Sequence, residues 1–130
     1  MFVDASALLA VLLDEPASER ILNAVSLVQS PTTSPLAVFE TVAVLMSRKA
    51  MSRGTAEELV TRLFRRLRID VVPISGEIGR GALAAFERYG KGRGHPAQLN
   101  MGDCFAYACA KALGVPLLYS GNDFALTDLA

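Results

Sequence analysis

MGDCFAYACAKALGVPLLYSGND, residues 101 to 123, decides the fold. Met101 to Leu113 has the composition and apolar spacing of a helix, and Gly114 is a helix stop. Val115 to Tyr119 is a short apolar run suited to a buried strand, closed by the turn residues Gly121 and Asn122. A helix that leads through a glycine into a buried strand, with no hairpin turn, is half of a strand–helix–strand crossover, the unit that joins parallel strands.

Working outward from this block, the same alternation recurs. Phe2 to Asp4 is a short apolar run followed by an Ala/Leu-rich helix from Ala5 to Leu13, which stops before Asp14, Glu15 and Pro16. A second helix covers Ala17 to Val28, and Thr32 to Ser34 forms a short strand. Ser34 is a good N-cap with Pro35 at the first helical position, opening a helix that runs to about Ala50. Thr55 with Glu58 reads as a capping box before a basic amphipathic helix through Leu67. The β-branched run Ile69 to Ile74 is the clearest strand, and Ser75 to Tyr89 is helical. Residues 90 to 100, GKGRGHPAQLN, carry four Gly or Pro and form a loop with backbone freedom. That loop lacks the GxxxxGK[ST] spacing of a phosphate-cradling motif. The expected fold is α/β and three-layered, a mostly parallel sheet of four to five strands flanked by helices. It occupies residues 1–130 as one domain.

Composition narrows the setting. The 130 residues are 52% apolar, enough for one core. No apolar stretch approaches the roughly 20 residues that cross a bilayer. Residues 1 to 13 lack the basic start of a secretory signal and carry Asp4 in their midst. Cys104 and Cys109 are five apart in one helix, where they face different ways, so a reducing cytoplasm fits best. Net charge is zero but uneven: between Arg48 and Gly94 eleven Lys and Arg stand against five Asp and Glu, and elsewhere two face eight. Such a basic middle solvates outer helix faces, and as a block it also suits contact with phosphates.

Four acids stand apart from the other charges. Asp4 is the only charged residue from Met1 to Leu13, and Glu40 the only one from Ser30 to Ser47. Asp103, His95 aside, is alone from His95 to Ala110, and Asp123 is alone from Ala112 to Thr127. Each therefore falls in a segment expected to be core. An ionised carboxylate buried without a partner costs several kcal/mol, so four of them call for a cation. Asp4 ends the first strand and Asp123 follows the last, which places both at the carboxyl edge of a parallel sheet, where ligands bind. Asp103 in the first turn of its helix and Glu40 one to two turns into its own converge on that edge. Singly, Asp4 and Asp103 also suit helix N-termini and Asp123 an Asx turn, whereas Glu40 has no such role. As a set they are hard oxygen ligands for Mg²⁺ or Mn²⁺, and a lone histidine with two same-helix cysteines disfavours zinc.

The opening FVDAS, the isolated Glu40, the block LNMGDCFAYACAKALGVPLLYSGNDF and the closing TDL together resemble the PIN-domain nucleases, specifically the VapC-type toxins of bacterial toxin–antitoxin pairs. The resemblance spans nearly the whole chain and is most specific over Asn100 to Phe124. It implies a parallel α/β fold, Mg²⁺- or Mn²⁺-dependent endonucleolytic hydrolysis of RNA, homodimerisation, and inhibition by a cognate VapB-type antitoxin. It also implies catalytic and metal-binding roles for Asp4, Glu40, Asp103 and Asp123, with Ser6 beside them. Asn122 is a departure, standing where many relatives have another acid, which weakens any second metal position. Lys111 reads as an exposed or dimer-edge cation. His95 reads as an ordinary loop residue, which argues against a metal-free ribonuclease working through histidine. Two rival readings are a catalytically silent partner-binding module and a receiver-like signalling domain. The second wants an acidic pair near the end of the first strand and a lysine late in the sheet, and the chain has only Asp4 there and then Ser120 to Asp123 without lysine.

Overall fold

The computed structural model describes residues 1–130. Four very short strands, β1 (Phe2–Val3), β2 (Thr32–Thr33), β3 (Asp70–Val71) and β4 (Leu117–Leu118), lie in the order β3-β2-β1-β4, and every pair is parallel. Phe2 pairs with both Thr32 and Leu117, and Val3 with Leu118. Six helices connect and cover them: α1 (Ala5–Leu12), α2 (Ser18–Ser26), α3 (Pro35–Arg48), α4 (Arg53–Leu67), α5 (Gly76–Tyr89) and α6 (Met101–Leu113). No helix is long and apolar enough to cross a membrane.

Two residues per strand suffice to make three layers, because successive side chains point to opposite faces. Phe2 and Leu117 enter a core with α5, α6 and Phe124. Their neighbours Val3 and Leu118 enter a second core with α1, α2, Leu63 and Ile69. A third, smaller cluster joins α3 to α4 through Val42, Leu45, Ala56 and Val60.

The caps explain where helices begin. The Ser34 hydroxyl accepts from the amide of Ala37, with Pro35 at the first helical position, as the sequence predicts. Asn100 opens α6 with a reciprocal capping box to Asp103. For α4 the sequence expectation is corrected. Ser52, not Thr55, is the N-cap, and Glu58 pairs with Arg62 instead of closing a box. The run Ile69 to Ile74 also shortens to a two-residue edge strand with both residues exposed, since Pro73 has no amide to continue the ladder.

Chain order and sheet order together place the ligand crevice. From β1 the chain moves outward through β2 and β3, then returns to the other side of β1 to lay down β4. The direction of winding reverses between β1 and β4, and in parallel α/β sheets ligands bind outside the carboxyl ends of the strands at that reversal. Asp4 is the residue after β1, and Asp123 follows β4 by five positions.

Candidate active site

Asp4 leaves β1 and caps α1, so the N-cap role and the site role coincide. It is buried, and both donors of Ser6 converge on one oxygen, the hydroxyl at 2.6 Å and the amide at 3.0 Å from Oδ2. The same hydroxyl accepts from the amide of Ser120 at 3.0 Å, so Ser6 ties the exit of β4 to the acid that follows β1. Burial raises the proton affinity of Asp4 most, the Ser6 bonds oppose it, and the Asp123 charge adds to it.

Asp103 is buried in the first turn of α6, with Oδ2 accepting from the Asn100 amide at 3.1 Å while its own amide donates to Asn100 Oδ1 at 2.9 Å. Desolvation, helped by the charges of Asp123 and Asp4 and opposed by the Asn100 bond, pushes its pKa up to about 6. Glu40, half-buried on α3, is pushed up to about 7, by burial first and then by Asp4 and Asp103. Asp123 differs from the expectation. It lies exposed at the rim, because Phe124 takes the buried position beside it and packs on Tyr119 with ring centroids 5.1 Å apart.

All four acids thus meet at one edge, since each feels or exerts the charge of at least two others. No Lys or Arg balances them, for the three ion pairs of the molecule lie elsewhere. The set is not a closed cage: no three Asp, Glu, His or Cys side chains stand arranged as a finished metal site. The donor chemistry nonetheless fits a hard divalent cation. Mg²⁺ keeps several of its waters and takes one or two protein carboxylates, so it does not need a closed cage. Ser6 stands where the sequence puts it, hydrogen-bonded to a candidate ligand. Asn122 is exposed, and its carbonyl accepts from the amide of Ala125.

Gly102 is the residue that the sequence reading passes over. A Cβ there would collide with the Glu40 carboxylate, coming within 2.6 Å of its Cδ, so Glu40 rests against the backbone of α6 one residue from Asp103. A glycine in the first turn of an otherwise apolar helix, costing about 0.5–1 kcal/mol relative to alanine, is the signal that marks such a close approach. Arg20 is likewise unforeseen. Its guanidinium donates to the carbonyl of Tyr119 at 3.2 Å, beside the exit of β4. Lys111, expected as an exposed or dimer-edge cation, is exposed and also pairs with Asp128 at 2.6 Å.

The PIN domain matches residues 1–129. A VapC ribonuclease of Rhizobium meliloti is 42% identical over 139 aligned positions, which cover 98% of each chain. Ribonuclease VapC of Mycolicibacterium smegmatis is 42% identical over 100% of this chain and 98% of its own. Ribonuclease VapC30 of Mycobacterium tuberculosis is 41% identical over 100% of this chain and 96% of its own. Among solved structures, a toxin–antitoxin complex from Klebsiella pneumoniae superposes with a TM-score of 0.70 at 17% identity, over 98% of this chain and 92% of that one. Mycobacterium tuberculosis VapC20, described as a sarcin–ricin loop cleaving toxin, gives 0.74 at 16% identity over 99% and 95%. At such identities the two structures speak to the fold alone. The chain belongs to the PIN-domain family. Within it, the full-length likeness to the VapC enzymes makes it a VapC-type ribonuclease.

Proposed function

We propose that the chain is the toxin of a toxin–antitoxin pair, a Mg²⁺- or Mn²⁺-dependent endoribonuclease whose site is Asp4, Glu40, Asp103 and Asp123. One observation carries this reading. Four carboxylates share the crevice edge, with Asp103 and Glu40 pushed up to about 6 and about 7, and no cation of the protein offsets them. A divalent ion beside such a group offsets the mutual repulsion and the burial of its ionised members.

Asp4 and Asp103, each held by hydrogen bonds to one oxygen, are the fixed ligands. Glu40, seated against Gly102, and Asp123, at the exposed rim, complete the ligand set and orient the attacking water toward the scissile phosphate. Ser6 fixes the direction of Asp4, as outer-shell donors commonly do for metal-bound carboxylates. The ion, when bound, supplies an activated water and offsets negative charge on the phosphate. No side-chain nucleophile is needed.

RNA is the substrate, and a VapB-type antitoxin is the partner. The VapC ribonuclease names of the full-length relatives support both. Homodimerisation, a cytoplasmic location and a single domain over residues 1–130 belong to the same reading. The purified full chain is incubated with an RNA mixture in Mg²⁺ or Mn²⁺, with and without exhaustive chelation. Cleavage should disappear with the metal, return on its restoration, and be lost in Asp4→Asn. Activity that survives chelation would falsify the metal mechanism.

A further inference from the structure

The basic middle of the sequence does not form one surface. Arg65, Arg66 and Arg68 sit at the end of α4, which feeds β3 at its first residue, Asp70, whose amide donates to Pro31 just ahead of β2. That is the amino edge of the sheet, the side opposite the four acids. A second basic group follows α5. Gly81 faces Ala108, where a Cβ would stand 3.4 Å from that of Ala108, while Phe86 shares a groove with Met101. The two helices therefore run antiparallel, and the end of α5 lies beside the start of α6, next to Asp103.

From that end springs the loop of residues 90 to 98, which carries Lys91 and Arg93, both exposed and neither in an ion pair. No acid lies between Arg88 and Asn100. Its composition predicts backbone freedom, yet it is stapled shut. Gly90 forms a parallel bridge with Leu99, the Lys91 amide donates to Leu99 at 2.9 Å, and the Leu99 amide donates to Tyr89 at 2.9 Å. Across the tip, Gln98 Nε2 donates to the His95 carbonyl at 2.7 Å and the Ala97 amide to His95 Nδ1 at 3.0 Å. Gly92 and Gly94 turn the chain at φ of 81° and 84°, a conformation that side chains rarely adopt. Leu99 is buried, and one residue later the Asn100 amide clasps Asp103. The loop is thus a preformed cationic arm, closed at its root by Leu99, which stands four residues before the candidate metal ligand Asp103.

A polyanion approaching four carboxylates meets repulsion that a bound ion offsets only locally, so unpaired cations at the same edge are needed to hold the flanking phosphates. We propose that the loop of residues 90 to 98 is the seat of the RNA phosphodiester backbone next to the scissile bond, gripped by Lys91 and Arg93, and that the Arg65–Arg66–Arg68 group at the far edge takes no part. This rests on the ribonuclease reading and assigns substrate contacts within it.

The test uses the full chain with Asp4→Asn to prevent cleavage, a fluorescently labelled single-stranded oligoribonucleotide, and anisotropy at several salt concentrations. Lys91→Gln with Arg93→Gln should weaken binding roughly tenfold at low salt and make the slope of log K against log salt shallower by about 1.4, or ~0.7 per lost phosphate contact. Lys91→Arg with Arg93→Lys should keep the slope, and Arg65→Gln with Arg66→Gln should leave binding unchanged. With Asp4 intact, the loop variant should raise KM and spare kcat. An unchanged slope in a protein that still cleaves RNA, or an equal loss from the α4 variant, overturns the loop assignment alone. A parent chain that neither cleaves nor binds RNA overturns the ribonuclease reading and this one together.

Discussion

Asp128 and Asp103 are the same residue type on neighbouring parts of the fold, and their surroundings drive them in opposite directions. Asp128 accepts from Lys111 Nζ at 2.6 Å and Tyr107 OH at 2.7 Å, which holds its pKa down to about 2. Asp103, buried beside other carboxylates, rises to about 6. The difference separates an acid that fastens the C-terminal segment from one that no cation of the protein pairs with. Charge alone does not mark a site; an unpaired, buried charge does.

Substitutions in the two groups should therefore have very different consequences. Asp4→Asn or Asp103→Asn should remove nearly all ribonuclease activity, on the order of 10²-fold or more, judging by other catalysts that lose one electrostatic group. Circular dichroism should show the fold intact, because Asn preserves the shape and removes a repulsive charge. Activity near the parental level would show that these acids are structural caps only.

Saturating Mn²⁺ should raise the melting temperature of the parent, by the equivalent of about 2.7 kcal/mol at one hundred times Kd. The increment should vanish in the double variant Asp4→Asn with Asp103→Asn and persist in Asp128→Asn. Equal increments in all three would erase the contrast.

Gly102→Ala probes the contact between Glu40 and α6. Alanine favours the helix by about 1 kcal/mol, yet its methyl would drive the Glu40 carboxylate away. A roughly tenfold loss of kcat, comparable to losing an outer-shell contact, is expected with little loss of stability. Undiminished kcat would mean that Glu40 needs no such seat.

The pH dependence has a definite sign. Glu40 and Asp103 bind protons more tightly in the folded chain than in the unfolded one, so between about pH 4 and 7 the folded state holds more protons. Stability of the metal-free protein should fall as pH rises through that window, and affinity for Mn²⁺ should climb through pH 6 to 7 as the acids ionise. Calorimetric melts with and without Mn²⁺ at several pH values check both slopes. The smallest effect is expected for Asp128→Asn, less than about 1 kcal/mol, because the Lys111 pair is partly exposed. Its activity should not change.

Much of this was legible in the sequence. Ser34 with Pro35, the stop at Gly114 and the apolar run before Gly121 locate their elements because caps and turns are local chemistry. The four acids stood out because each is isolated in an apolar stretch. What stayed hidden depends on contacts distant in sequence. The exposure of Asp123 follows from Phe124 claiming the core, and the Lys111 pair reaches seventeen residues along the chain. The length of β3 misleads for another reason. Ile69 to Ile74 has the composition of a strand, but at a sheet edge with Pro73 inside it few of those residues find a ladder partner. The division of the basic middle between opposite edges was equally invisible, since the antiparallel pairing of α5 and α6 decides it.

The pairing of Phe2 with Leu117 also orders events during synthesis. Of the four strands, β1 is made before the others, and its neighbour on the crevice side follows about 115 residues later, so only then does Ser120 reach Ser6. Contacts so far apart in sequence form late and slowly. A nascent chain therefore cannot bring Asp4 and Asp123 together until residues 117 to 123 have been made and have left the ribosome, so the nuclease gains no competence to cut before that segment docks beside β1.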